Sequence, residues 1–210
     1  HLVILLYLMY FIAMDYTTYT SPFADRYASK EMLYNFSPDK KFKTWRKLWV
    51  ALATKEQELG LSITDEQINE LKAHQNDINY DVARQYEEKL KHDVMAHIKA
   101  YGDQCPKAKG IIHLGATSAY VVDNTDLILI NDALNIIKEK LTKVISHLSL
   151  FAKEYAFLPT VAYTHFQPAQ FTTVGKRACL WLHDLMLDLD DINYRQLNLK
   201  FLGAKGTTGT

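Results

Sequence analysis

NTDLILINDALNIIKEKLTKVISHLSLFAKEYA, residues 124–156, repeats apolar side chains at alternating steps of three and four positions. The repeat consists of Leu127, Ile130, Leu134, Ile137, Leu141, Val144, Leu148, Phe151 and Tyr155. This is the spacing of a heptad repeat, so it predicts a single helix about 50 Å long at 1.5 Å per residue. A helix with one continuous apolar stripe packs that stripe against other helices, and the stretch therefore predicts a helical bundle.

A second apolar repeat predicts a second long helix, antiparallel to the first. It contains Phe171, Val174, Ala178, Leu182, Leu185, Leu189 and Ile192. Between the two repeats, Pro159 and Pro168 bracket a short polar break. Residues 203–210 have the composition of a loop, and two long helices make only half of a bundle. We therefore expect the chain to be a fragment, or to complete its bundle with other material.

Shorter helices are predicted ahead of the heptad repeat. The first covers residues 40–59 and is stopped by Gly60. The second covers residues 64–71 and begins at a Thr64/Gln67 capping box. The third covers residues 81–101 and is followed by a connector at residues 110–118. The predicted fold class is all-α: an N-terminal helical domain at residues 14–117, followed by the first part of a long-helix bundle at residues 118–210. The apolar run at residues 1–13 is too short to span a bilayer, and we expect it to precede the natural start of the protein.

Composition argues against several classes of protein. Lysine plus arginine equal aspartate plus glutamate at 24 each, so no net charge attracts nucleic acid or a membrane surface. Cys105 and Cys179 lie 74 positions apart, without metal-ligand spacing, which argues against a disulfide framework and favours a reducing cytoplasm. The Gly-Thr-rich end is not a phosphate-binding loop, because Lys205 precedes Gly206.

Three histidines invite a chemical interpretation. His165 lies in the polar break, where rigid flanking helices can aim it into a cleft, and it titrates near neutral pH; it is a candidate proton donor. Lys91 and His92 are adjacent cationic groups suited to a carboxylate or phosphate. His92 and His97 are five positions apart, about 140° round one helix, which does not fit a zinc site. His97 is interpreted as a core or interface residue.

Two further motifs each allow two interpretations. The hydroxyls of Thr117 and Ser118 precede the long helix, where they fit either an anion site or a capping turn. Arg26 beside Tyr27 fits either a phosphate clamp or an ordinary surface arginine.

Together these motifs resemble the adenylosuccinate lyase family of the fumarase/aspartase superfamily. The matching segments, in the family's order, are Ser21 to Tyr27, Lys91 to His97, Gly110 to Ser118, Asp123 to Asp126, Thr164 to Gln170 and Thr172 to Arg177. The resemblance implies a homotetramer with a shared bundle of long helices and active sites built from three subunits. It also implies cleavage of a nucleotide substrate, with no metal and no organic cofactor. The two implied reactions are adenylosuccinate to AMP and fumarate, and the succinyl-carboxamide imidazole ribonucleotide SAICAR to AICAR and fumarate.

The resemblance also implies a role for each candidate residue. His165 would be the general acid that protonates the departing nitrogen, and His92 would orient substrate charge. The other substrate-binding residues would be Arg26 and Tyr27 at the phosphate, with Lys91, Asp93, Thr117 and Ser118 lining the pocket. The family's general base is a serine on a loop with a Met-Lys-Asn signature, which these 210 residues lack. The chain alone is therefore expected to be inactive.

Two other interpretations stay open. A non-catalytic helical assembly module explains the heptad repeat and the missing base, but not the coincidence of the polar motifs. A sister lyase that releases fumarate from another substrate would not need the phosphate clamp at Arg26 and Tyr27.

Overall fold

The computed structural model describes residues 19–204, 207 and 208, so the apolar run at residues 1–13 lies outside the described residues. The described part is mainly helical, as predicted. Its elements are α1 (Lys30–Asn35), α2 (Pro38–Glu58), α3 (Asp65–Ala73), α4 (Tyr80–Leu90), α5 (Asp93–Gln104), α6 (Ser118–Glu154), β1 (Pro159–Thr164), β2 (Gln167–Thr173) and α7 (Val174–Asn198). One π-helical turn, Phe23–Tyr27, precedes α1. No helix in this described part is long and apolar enough to cross a membrane.

The Gly60 stop after α2 and the capping box of α3 act as the sequence predicts, while α2 begins at Pro38, two positions before the predicted start. Ser37 caps α2 by accepting a hydrogen bond from the backbone N–H of Lys40 at 3.2 Å. Gly60 follows the end of α2 with φ +94°, a conformation that suits glycine. Thr64 and Gln67 form both hydrogen bonds of the capping box that opens α3.

The single helix predicted over residues 81–101 is wrong, because the chain breaks between α4 and α5. Lys91 ends α4 in the left-handed region at φ 53°. His92 is extended and caps α5, its Nδ1 accepting a hydrogen bond from the backbone N–H of Met95 at 3.3 Å. Neither glycine nor proline marks this break, and a histidine ring replaces the usual hydroxyl or carboxylate cap. His92 and His97 therefore do not lie within one continuous helix from Asp81.

The two long helices are antiparallel, as predicted. Helix α6 has 37 residues, about 55 Å, and begins six positions before the predicted Asn124. The start of α7 packs on the end of α6 so closely that a Cβ added to Gly175 would overlap the carbonyl oxygen of Ala152. The far end of α7 reaches back along α6, where Gln196 Nε2 donates to Asn135 Oδ1 at 2.8 Å.

The polar break between the long helices is a β-hairpin. Strands β1 and β2 are antiparallel, pairing Pro159 with Thr173 and Thr164 with Gln167. His165 and Phe166 form the two-residue turn, both with positive φ, at 51° and 62°. Two-residue turns of this kind match the twist of antiparallel strands, although Asn-Gly is the usual sequence. The proline pair predicted the break correctly but did not predict its strands.

The buried core lies among α2, α3, α5 and the first turns of α6. Its largest fully buried side chains are Trp45, Trp49, Arg46, Tyr101, Leu71, Val94 and Val121. Along α6 and α7 the apolar stripes are much more exposed, with Ile137 and Val144 as examples. The predicted boundary at residue 118 coincides with the first residue of α6; the division into two domains stays a prediction.

The contact at Gly175 predicts the effect of a single added methyl group. In Gly175→Ala the new Cβ meets backbone atoms of Ala152 and Ala156, which cannot rotate away. We expect the variant to lose about 3 kcal/mol in free energy of unfolding, measured by urea titration. Gly110→Ala is the matched control, because nothing lies within 4 Å of its added Cβ. Equal stability of the two variants would show that α7 does not approach α6 this closely.

The core histidine predicts how stability changes with pH. His97 is 5% exposed and stacks on Phe42 at 3.8 Å between ring centroids. Burial lowers the pKa of His97 from 6.5 to about 4. Between these values the unfolded chain binds a proton that the folded chain does not, so stability is complete above pH 6.5 and is lost as the pH falls toward 4. The loss from this group is about 3 kcal/mol.

His97→Gln removes the titrating group and should flatten the dependence of unfolding free energy on pH between 6.5 and 4. The surface variant His74→Gln serves as the control, since His74 is partly exposed beside Asp77. If His97→Gln leaves the pH dependence unchanged, the loss of stability at low pH comes from other groups.

Candidate functional site

The break between α4 and α5 brings His92 to the first turn of α6. His92 Nε2 lies 3.5 Å from Ser118 Oγ. Because Nδ1 accepts the N–H of Met95, the neutral ring carries its proton on Nε2. That proton points toward the open side, where Ser118 or a bound anion can accept it. Asp93 is adjacent to His92, and its Oδ1 lies 3.8 Å from His92 Nδ1. The same Oδ1 accepts a hydrogen bond from the backbone N–H of Val94 at 2.8 Å.

Thr117 and Ser118 lie where the sequence places them, at the beginning of α6. Thr117 occupies the N-cap position, yet its side chain makes no capping hydrogen bond. Its hydroxyl oxygen instead accepts a hydrogen bond from the Thr207 hydroxyl at 3.5 Å. The hydroxyl hydrogen of Thr117 is not used in that bond, so it can be donated to a ligand at the positive end of a long helix dipole.

His113 is a member of this group that sequence reasoning missed. Its Nδ1 accepts a hydrogen bond from Trp49 Nε1 at 2.9 Å, and its backbone has φ 65°. Burial lowers the pKa of His113, and protonation of the nearby His92 would lower it further. The ring is thus held in its neutral form. The residue stood inside a predicted connector, and its indole partner is 64 positions away, so no local pattern singled it out.

Glu56 of α2 is a second missed residue, beneath the loop that leads into α6. Its Oε2 atom is buried and has no hydrogen-bond partner among the residues that the structure describes. Burial raises the pKa of this carboxyl. A Cβ added to Gly115 would lie 3.9 Å from Glu56 Oε1, and Gly115 itself has φ +64°. That distance is an ordinary van der Waals contact, so the carboxyl lies beside this turn, and the positive φ is what favours glycine there.

The remaining candidates lie elsewhere in the chain. His165 is exposed at the tip of the hairpin, and within the described residues no hydrogen bond or ion pair joins it to the His92 group. Arg26 and Tyr27 are exposed on the π-helical turn, with the guanidinium 5.6 Å from the centroid of the tyrosine ring. Lys91 is exposed at the end of α4.

The structure thus brings together one part of the predicted site and leaves the other part separate. His92, Asp93, Thr117 and Ser118 form a group at the start of α6, joined by His113. The described residues contain no cluster of three or more His, Cys, Asp or Glu side chains arranged to hold a metal ion.

Several curated relatives are adenylosuccinate lyases. The protein from Saccharomyces cerevisiae is 50% identical over 199 residues, which are 93% of this chain and 41% of that protein. The proteins from Schizosaccharomyces pombe and Schistosoma mansoni are 48% and 45% identical, with the same shares covered. The chain therefore spans 41% of the length of these relatives. The resemblance predicted from the motifs is confirmed.

Solved structures show the same fold at lower identity. The 3-carboxy-cis,cis-muconate lactonizing enzyme from Pseudomonas putida has a TM-score of 0.79 at 24% identity, over 90% of this chain and 44% of that one. A fumarate lyase from Mesorhizobium sp. BNC1 has a TM-score of 0.75 at 24% identity, over 90% and 45%. The predicted fumarase/aspartase-like helical fold is confirmed. The sequence also matches the lyase family over residues 48–210, and the chain belongs to that family.

Proposed function

We propose that this chain is part of an adenylosuccinate lyase of purine nucleotide biosynthesis. The proposed reactions are cleavage of adenylosuccinate to AMP and fumarate, and of SAICAR to AICAR and fumarate. The observation that carries the proposal is the meeting of His92 with Ser118, at 3.5 Å, across 26 positions of sequence. That contact joins two motifs of the proposed site, and the relatives of known name indicate the substrate.

The chemistry of elimination accounts for the residue types at the start of α6. A base removes the proton next to a substrate carboxylate, the C–N bond breaks, and its electron pair leaves with the nitrogen. Negative charge grows on the carboxylate before the bond is broken, so fixed donors aimed at it stabilise the transition state. The hydroxyls of Thr117 and Ser118 and the Nε2–H of His92 are donors of this kind. The exposed cation of Lys91, next to His92 in the chain, is proposed to reach the same carboxylate once substrate is bound. The dipole of α6 adds partial positive charge at the same place.

His165 is proposed as the acid that protonates the departing nitrogen. A histidine titrates near neutral pH and can donate this proton as the bond breaks. It is exposed at the hairpin tip, and among the described residues no hydrogen bond or ion pair joins it to the His92 group of the same chain. We propose that the site is completed between subunits, with His165 and the His92 group contributed by different chains.

The exposed stripes of the long helices support this assembly. Ile130, Ile137 and Val144 of α6 are each at least 43% exposed, although they belong to the heptad repeat. On α7, Trp181 and Leu187 are also exposed, at positions outside the apolar repeat of that helix. Apolar surface of this extent on paired helices is typical of a face that other helices cover. We propose a homotetramer in which the long helices of the subunits form one bundle.

Arg26 and Tyr27 are proposed to hold the nucleotide phosphate. Both side chains are exposed on a π-helical turn, so they are free to contact a substrate held by the assembled protein. The general base is proposed to come from the part of the relatives that this chain does not span. The chain alone is accordingly proposed to lack activity.

A chimera tests the proposed reaction directly. This chain replaces the matching 41% of the Saccharomyces cerevisiae adenylosuccinate lyase, and release of fumarate from adenylosuccinate is measured. We expect the chimera to be active and His165→Ala to lower kcat by about 100-fold to 10,000-fold, because protonation of the leaving nitrogen is lost. His74→Ala, a change of a histidine paired with Asp77, should leave kcat within about twofold.

A folded but inactive chimera would contradict the proposed function. Near-normal turnover by its His165→Ala variant would contradict only the role of His165 as the acid.

The phosphate clamp predicts a separate effect on substrate binding. In the chimera, Arg26→Gln should raise KM for adenylosuccinate about 10-fold to 100-fold, since a charge-assisted hydrogen bond to phosphate is removed. The change in kcat should be smaller, because the phosphate is remote from the bond that breaks. Arg84→Gln is the control, because it changes an exposed arginine whose hydrogen bond and ion pair among the described residues are both with Asp81. Equal KM values for the two variants would show that residues other than Arg26 bind the phosphate of the substrate.

A further inference from the structure

Asn124 is a buried amide whose hydrogen-bonding capacity is fully used. It is 2% exposed and lies in the second turn of α6. Its Nδ2 donates to the carbonyl oxygens of Tyr120 at 2.8 Å and Gly203 at 3.0 Å. Its Oδ1 accepts from the backbone N–H groups of Leu202 at 2.9 Å and Gly203 at 3.2 Å. One side chain therefore fixes the segment after α7 to the beginning of α6, 79 positions earlier.

Thr207, four positions after the held Gly203, lies at the candidate site. Gly203 turns the chain with φ +72°, and Thr207 then places its hydroxyl 3.5 Å from that of Thr117. Thr117 is one of the residues proposed to meet the substrate carboxylate. The geometry points to Asn124 as a positioning residue for the proposed lyase reaction: by holding residues 202 and 203 it keeps the Thr207 hydroxyl beside Thr117. When substrate binds, the Thr207 hydroxyl turns from Thr117 to the substrate, so that both hydroxyls donate to that carboxylate. This inference rests on the proposed function.

The long helices do not need Asn124 to pack against each other. A second amide contact already joins them, where Gln196 donates to the side chains of Asn131 at 3.2 Å and Asn135 at 2.8 Å. Asn135 lies eleven residues, about 16 Å, further along α6. That contact holds helix to helix, whereas Asn124 holds a non-helical segment. The two contacts provide a matched comparison between a site-positioning amide and a structural one.

The first measurement is made on this chain and needs no activity. Hydrogen exchange should show the amides of Leu202 and Gly203 protected in the parent, because Asn124 accepts both N–H groups. Protection should fall at least tenfold in Asn124→Ala and stay unchanged in Asn135→Ala. Unprotected amides in the parent would overturn the inference, since the segment would then not be held.

The second measurement is kinetic and uses the chimera. Asn124→Ala and Thr207→Ala should each lower kcat/KM for adenylosuccinate about tenfold, the effect of losing one hydrogen bond to a charged group. The double variant should lose no more than either single variant, because Asn124 acts through Thr207. Thr207→Ser keeps the hydroxyl and should restore most of kcat/KM. Asn135→Ala should leave kcat/KM within about twofold, even if it lowers stability.

Each contrary result has a definite meaning. Additive effects in the double variant, or normal kcat/KM for Thr207→Ala, would overturn the inference while leaving the proposed function intact. An inactive parent chimera would overturn the proposed function and, with it, any role of Asn124 in that reaction, even if Leu202 and Gly203 stay protected.

Discussion

Packing of the first turns of α6 into the tryptophan core determines where every group of the candidate site lies. Val121 and Thr125 are fully buried there, and the Tyr120 hydroxyl donates to the carbonyl oxygen of Leu48 at 2.9 Å. Since α6 is a single helix of 37 residues, fixing one end of it sets the direction of the whole. Thr117 and Ser118 therefore lie at the edge of a rigid core, while most of the apolar stripe extends beyond it.

Periodicity predicted the large elements because long helices depend on a repeated property of many residues. The two apolar repeats gave α6 and α7 to within a few residues at most ends, and the Thr64/Gln67 capping box gave α3 its first residue. Single-residue events were harder to predict. The break at Lys91 has no glycine or proline, and the strands around His165 are too short for a clear alternation. In each case tertiary contacts decide the local conformation.

The candidate site, too, was only partly predictable from the sequence. Residue types with obvious chemistry, such as His92 and His165, could be selected from sequence alone, whereas their distances could not. His113 and Glu56 were missed because their significance comes from partners far along the chain: Trp49 for the histidine and the turn at Gly115 for the carboxyl. A buried polar atom acquires its properties from what surrounds it, and a sequence does not display those surroundings.

The capping role of His92 connects the break in the helix to the chemistry proposed for it. A ring whose Nδ1 accepts an N–H cannot carry a proton on that atom without losing the cap of α5. While Nδ1 accepts this N–H, the ring proton is on Nε2, which lies 3.5 Å from Ser118 Oγ. A hydroxyl or carboxylate cap would start α5 equally well, but it would leave no N–H to donate at this position. A histidine cap accepts from the helix with one ring nitrogen and leaves the other to donate to an anion, which fits the role proposed for His92.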